Sequence, residues 1–226
     1  MNVQRARHII TSDKIVDDLL KKIVNLKYMP GELISEGDLC AAYDTTRHTV
    51  RGALAVLKEK GFVEVYPQRG TFVSLIDLSF INDVLFLREA VEQETVKLII
   101  DQGDKEKLLE KLRASLEKQK AVKDYKENPG AFYKLDDEFH EILLAAIGRP
   151  KLSLLYEDAY FHVRRWRNLE VKTLESLRDL PSEHEQIIKT IEKGDAKAAR
   201  ELMNQHIDSV GKYGTEIKKK YPEFFV

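Results

Sequence analysis

The chain of 226 residues has one cysteine, Cys40, so no disulfide framework can form within it, and a reducing compartment is expected. It lacks long apolar runs. None approaches the ~18 residues that a membrane-spanning helix needs, and the charged start (Arg5, Arg7, His8) leads into no signal-peptide core. A soluble, cytoplasmic protein with no membrane partner is expected. Internal repeats, low-complexity segments and Gly/Ser-rich linkers are also missing, which argues against freely tethered domains. No charge of one sign dominates: 37 Lys and Arg face 38 Asp and Glu, for a formal net charge of −1. Composition alone therefore does not announce a nucleic-acid partner. The halves differ slightly, since residues 1–75 carry 11 basic against 9 acidic side chains and the remainder 26 against 29. That sign suits an N-terminal DNA module.

What is present suits a globular chain of two domains, with 43% hydrophobic and 33% charged residues. Ile15, Leu19, Leu20, Ile23 and Val24 recur at helical spacing, with Ser12 or Asp13 as the expected cap. Met29-Pro30-Gly31 ends that helix. A short helix over about 35–43 follows, then a break at Asp44-Thr45 that caps a helix over 46–60. Two β-prone runs, 62–66 and 71–75, flank Pro67-Gln68-Arg69-Gly70 and predict a hairpin. Beyond Leu78 the strand signal vanishes. The pattern there predicts six helices, at roughly 79–102, 104–125, 130–148, 151–169, 181–193 and 195–219. The expected fold is mainly α: a winged helix-turn-helix over 1–75 and an all-helical six-helix bundle over 79–226.

Helix, short helix, turn, helix and hairpin is the layout of a winged helix-turn-helix, whose second helix offers its N-terminal turn to the major groove. Val50, Ala53, Leu54 and Leu57 form the core stripe of that helix, while Thr46, Arg47, His48, Thr49 and Arg51 crowd its first turns. Arginine takes guanine or phosphate, and threonine hydroxyls suit phosphate. Gln68, Arg69 and Gly70 put a cation and a slim backbone at the hairpin tip. The bland alternative is a small helical domain with two surface arginines.

The residues from Met29-Pro30-Gly31 through Ser35-Glu36, then Thr46-Arg47-His48-Thr49-Val50-Arg51, and finally Gln68-Arg69-Gly70-Thr71-Phe72-Val73 resemble the GntR family of transcription regulators. The likeness covers about residues 11–75. It implies a DNA-binding domain whose contacts include Thr46, Arg47, His48, Thr49, Arg51, Gln68, Arg69 and Gly70. Departures are Gly37 where arginine is common, Gly52 where glutamate is usual, and Thr49 in place of proline. A mid-helix glycine costs roughly 1 kcal/mol relative to alanine.

In the second half, Asp136 and His140 are four residues apart and share a helix face with Phe132, Phe139 and Leu143. His184 lies on a stripe with Ile187, Ile188 and Ile191, and His206 on one with Leu202, Met203 and Val210. A single histidine on an apolar face is ordinarily a hydrogen-bonded core residue. A carboxylate and three imidazoles that all point inward are instead natural ligands of a divalent transition metal such as zinc, nickel or manganese. Arg88 shares the stripe of Val84, Leu85 and Val91, either snorkelling outward or pairing with a glutamate such as Glu92. Trp166, Tyr156 and Tyr160 read as core.

This half is similar to the FCD effector domain of FadR-type GntR regulators, through Leu135-Asp136-x-x-Phe139-His140, His184, Gly194-Asp195 and His206 over about residues 79–219. The resemblance implies a metal held by Asp136, His140, His184 and His206. It also implies that Arg88, in Leu87-Arg88-Glu89-Ala90, binds the effector, a small organic acid seated beside the metal. The expected protein is a homodimeric transcription regulator on a pseudo-palindromic double-stranded operator. The alternative is a metal-dependent enzyme using the Asp/His₃ site.

Overall fold

The computed structural model describes residues 10–122, 129–174 and 180–226. They divide into two compact units: the chain through Ile76 together with Glu223–Val226, and Asp77–Pro222.

In the first unit, helix α1 (Ser12–Val24) is capped by Thr11, one residue before the expected caps, whose side chain accepts from the Lys14 amide. It buries Ile15, Leu19 and Ile23 against Val50, Ala53, Leu54 and Leu57 of α3 (Arg47–Glu59). Each such aliphatic side chain contributes about 1.5–3 kcal/mol when fully withdrawn from water. Between them, α2 (Glu36–Ala42) is capped by Ser35. The cap of α3 is Thr46, which accepts from the Thr49 amide, and not the preceding Asp44 or Thr45. The hairpin strands β2 (Val63–Tyr66) and β3 (Gly70–Val73) form as expected. A short strand that the sequence did not announce, β1 (Leu33–Ile34), pairs antiparallel with β3, so the sheet order is β1-β3-β2. Gly70 is required where it stands. Its φ is +114°, and a Cβ there would sit 2.8 Å from Leu33 Cδ1.

Gly52 also has a packing reason. A Cβ at this position of α3 would approach Ser12 Oγ to 3.2 Å, so the glycine admits the start of α1. The last four residues, grouped by the sequence pattern with the helical half, belong to this first unit. Ile76 donates its amide to the Phe224 carbonyl at 2.8 Å, its carbonyl accepts from Val226 at 3.2 Å, and Phe225 is buried.

The second unit contains seven α-helices among the described residues: α4 (Leu78–Asp101), α5 (Glu106–Ala121), α6 (Pro129–Ala146), α7 (Glu157–Leu174), α8 (Leu180–Lys193), α9 (Ala196–Asp208) and α10 (Gly214–Lys220). Asp77 caps α4 by accepting from Ser79 and Phe80, and Asp195 caps α9 by accepting from Ala198. Helix α4 packs along α9, while α5 packs on α6 and α8. The expected fourth helix starts later, after a 3-10 turn at Ser153–Leu155. The expected sixth helix is broken. It leaves α-geometry at Ser209–Gly211, where the Ser209 hydroxyl donates to the His206 carbonyl and the Val210 carbonyl accepts from Trp166 Nε1 at 2.8 Å. These bonds compete with the regular helical ladder. The expected end of the second helix, at 125, lies outside the described residues. No helix among the described residues is long and apolar enough to cross a membrane.

Candidate metal centre

Three helices carry the polar groups that the sequence placed on inward stripes. Asp136 and His140 come from α6, His184 from α8 and His206 from α9. All four are buried, and one ligand atom from each lies within 4.8 Å of the others. His206 Nε2 is 3.2 Å from both His184 Nε2 and His140 Nε2, and Asp136 Oδ1 is 3.5 Å from His184 Nε2.

The outer nitrogens decide what the inner ones can do. His140 Nδ1 meets a carboxylate oxygen of Glu92, His184 Nδ1 meets Gln119 Oε1 at 2.7 Å, and His206 Nδ1 meets Glu183 Oε2 at 2.7 Å. The Gln119 amide is oriented by its own nitrogen, which donates to the Leu135 carbonyl at 3.2 Å. Each of the three partners is an acceptor, so each Nδ1 carries a proton and each Nε2 is turned toward the centre. Burial and the neighbouring imidazoles hold His184 well below the usual histidine range, and burial lowers His206. His184 and His206, both held toward the neutral form, thus turn bare Nε2 lone pairs on each other at hydrogen-bonding distance.

That arrangement is repulsive alone and favourable around a cation. Two nitrogens bound at about 2.0–2.1 Å to one ion lie roughly 3.0–3.4 Å apart, which matches the observed spacing. Asp136 adds a fitting charge. Burial opposes its ionisation, but Arg167 and the imidazoles hold its carboxyl well below the ordinary range. Its Oδ2 accepts from Arg167 Nη1 at 2.8 Å, while its buried Oδ1 has no hydrogen-bond partner among the described residues. The group is compatible with a divalent metal site, each histidine being oriented by an outer acceptor as metal-binding histidines commonly are.

Arg88 is turned inward, but it is already paired. Its Nε donates to Glu92 Oε1 at 2.5 Å, one of the options the sequence left open, and its Nη1 donates to the Tyr160 hydroxyl. Arg88 is 4% exposed and Glu92 0%. A cavity of about 70 Å³ borders this network, with Arg88, His140, Leu144, Tyr156, Glu157 and Tyr160 among its lining residues. Glu92 was foreseen only as a partner for Arg88. Gln119, Glu183, Arg167 and Tyr160 were not foreseen as part of the site. A signal was available for Glu92 and for one of these four: Glu92 and Gln119 fall on the apolar stripes of Leu85–Val96 and Leu112–Leu116 at helical spacing.

The first unit carries the remaining candidates. Thr46 caps α3, with its hydroxyl 3.0 Å from that of Thr49. Arg47 and His48 are exposed on the first turn, and Gln68, Arg69 and Gly70 are exposed at the hairpin tip. Arg51 is 65% exposed at its side chain, yet its Nε is held by both carboxylate oxygens of Glu36 at 3.0 and 3.1 Å.

Comparison with known proteins agrees with both halves. The description "Bacterial regulatory proteins, gntR family" matches residues 11–73, and the FCD domain matches residues 83–209. An HTH-type transcriptional regulator in an unstable DNA locus of Streptomyces ambofaciens is 30% identical, over 92% of this chain and 86% of that one. This chain belongs to the GntR family. The GntR regulator is also 24% identical to the HTH-type transcriptional repressor RspR of Escherichia coli K12, over 92% of this chain and 90% of that one. Its fold matches a GntR regulator from Rhodococcus sp. RHA1 with a TM-score of 0.70 at 22% identity, covering 91% of this chain and 97% of that one. It matches McbR/YncC of Escherichia coli with a TM-score of 0.67 at 15% identity, covering 94% and 99%. The GntR regulator is therefore a DNA-binding transcriptional regulator with an FCD domain, and not an enzyme. The metalloenzyme alternative falls with that assignment.

Proposed function

We propose that this regulator binds a pseudo-palindromic operator as a homodimer, and that a small organic acid bound beside a divalent metal in the helical domain alters its operator affinity. In this reading residues 1–75, joined by the last four residues of the chain, form the DNA-binding domain, and 79–222 form the effector-binding and dimerisation domain. The observation that carries it is the convergence of three imidazole Nε2 atoms and a carboxylate oxygen, Asp136 Oδ1, that has no hydrogen-bond partner among the described residues, beside a small cavity. When bound, zinc, nickel or manganese would supply Lewis-acidic positions for an acid's oxygen. The chain's own residues do the rest. Asp136, His140, His184 and His206 hold the ion, Glu92, Gln119 and Glu183 fix the imidazoles, and Arg88 stands at the cavity wall. The cavity is less than half the size of the ~150 Å³ space that admits benzene in an engineered protein, which favours a short acid.

On DNA, Arg47 reads or grips from the exposed first turn of α3. Thr46, His48 and Thr49 lie beside it, and Gln68, Arg69 and Gly70 reach out from the wing. Arg51 would act with its guanidinium already oriented by Glu36. A two-fold dimer presents two such helices and supplies the affinity that a single small module lacks.

Elemental analysis of tag-free protein tests the centre directly, with about one divalent ion per chain expected for a mononuclear site. Titration of DNA from the chain's own promoter region, with and without acid, tests the regulation. Metal-free protein that binds DNA normally and responds to acids would overturn the metal centre. Metal-loaded protein whose DNA affinity ignores every acid would overturn the effector.

A further inference from the structure

Tyr160, on α7, is 5% exposed, and two guanidinium groups approach its hydroxyl oxygen. Arg88 Nη1 donates to it, and Arg167 Nη1 donates from 3.5 Å. A phenol oxygen offers two lone pairs and one proton, whereas a guanidinium only donates. Both arginines therefore occupy lone pairs, and neither can take the proton. Among the described residues nothing else accepts it. Arg88 is in a similar position. Its Nε is spent on Glu92 and its Nη1 on Tyr160, and Nη2 meets no acceptor among the described residues.

Arg88 of α4 and Tyr160 of α7, each with a donor that meets no acceptor among the described residues, thus line the same cavity of about 70 Å³ next to His140. A buried donor left without an acceptor is costly. Its retention is understandable where a ligand supplies the acceptor. Glu92 already neutralises Arg88, so Arg88 brings direction more than surplus charge to an incoming anion. Burial raises the Tyr160 phenol above its ordinary range, which keeps it a neutral donor.

We infer that Tyr160 is an effector-binding residue, donating its phenol proton to a carboxylate oxygen of the acid while Arg88 donates to the same carboxylate. The assignment rests on the effector reading above. A phenol and a guanidinium donor match the two oxygens of a carboxylate, while Asp137, Glu141 and Glu157 on the same lining bound the room for further negative charge. The placement also ties the ligand to the metal ligands through fixed groups. One path runs from Tyr160 through Arg88 and Glu92 to His140, the other through Arg167 to Asp136.

The test uses full-length metal-loaded protein and Tyr160→Phe, each checked by elemental analysis. Acetate, L-lactate, succinate, citrate and D-gluconate are screened by thermal shift, and the best is titrated by calorimetry. Tyr160→Phe is expected to bind that acid roughly tenfold to a hundredfold more weakly, the range for losing a hydrogen bond to a charged group. A change within about twofold at full metal loading would overturn the assignment while leaving the effector reading intact. No shift of the wild type with any acid would remove the effector reading, and this assignment with it. If Tyr160→Phe does not fold, a crystal structure of the wild type with the best acid reads the contact directly. A carboxylate oxygen within hydrogen-bonding distance of the Tyr160 hydroxyl supports the inference, and a carboxylate seated elsewhere overturns it.

Discussion

The two units treat their charged side chains in opposite ways. The first keeps an apolar interior, with Ile15, Leu19, Val50 and Leu57 at 0% exposure, and displays Arg47, His48 and Arg69 on a helix turn and a hairpin tip. The second takes Arg88, Glu92, Asp136 and Arg167 out of water and binds them into one network with three histidines. A surface site can change without disturbing the fold that presents it. An interior site is part of what holds its helices together, so its recognition chemistry and its stability are not separable.

Asp136→Ala probes this contrast most severely. It removes a proposed metal ligand and leaves the Arg167 guanidinium, 3% exposed, without its carboxylate. Breaking a buried pair from one side costs about 3–5 kcal/mol. Urea denaturation should show a loss of that size in metal-free protein, before any contribution from the ion. A variant as stable as the parent would mean that the interior network is not the stabilising element described here.

Arg47→Ala should do the reverse. Operator affinity is expected to fall roughly tenfold to a hundredfold, the discrimination carried by a bidentate base contact, while the unfolding midpoint stays put. Arg51→Ala should lose less on DNA, because its guanidinium is shared with Glu36. Titrations at several salt concentrations separate base contacts from phosphate contacts, since only lost phosphate contacts flatten the salt slope. Equal and large losses of stability in both variants would erase the distinction between the units.

Gly52→Ala sharpens the comparison at the small end. Helix propensity favours alanine by about 1 kcal/mol, but the new Cβ would stand 3.2 Å from Ser12 Oγ. The two effects nearly cancel, and a thermal melt should move little in either direction. A clear gain would show that α1 yields easily at its start, and a clear loss that it does not.

Much of this was legible beforehand, for particular reasons. The stripes of α1 and α3 follow the 3.6-residue period, so their buried residues were named correctly from spacing. The hairpin followed from Pro67 to Gly70 between β-prone runs. The two-residue strand β1 was invisible because it exists only by pairing with β3, and two residues carry no period. The break after Asp208 was hidden as well. Its cause includes a Trp166 nitrogen, 44 residues away in sequence, claiming the Val210 carbonyl.

The candidate centre divides in the same manner. Helical geometry by itself put Asp136 and His140 on one face, and apolar neighbours marked His184 and His206 as inward. The tertiary structure decided which nitrogen of each ring faces the centre. Glu92, Gln119 and Glu183 reach their histidines across 48, 65 and 23 residues of sequence. It also decided that Arg88 is shared between Glu92 and Tyr160, and that Tyr160 borders a cavity as well as packing in the core. Spacing along a helix determines direction, because neighbouring residues are joined by a rigid backbone. The group met in that direction depends on how separate helices pack, and no local pattern encodes it.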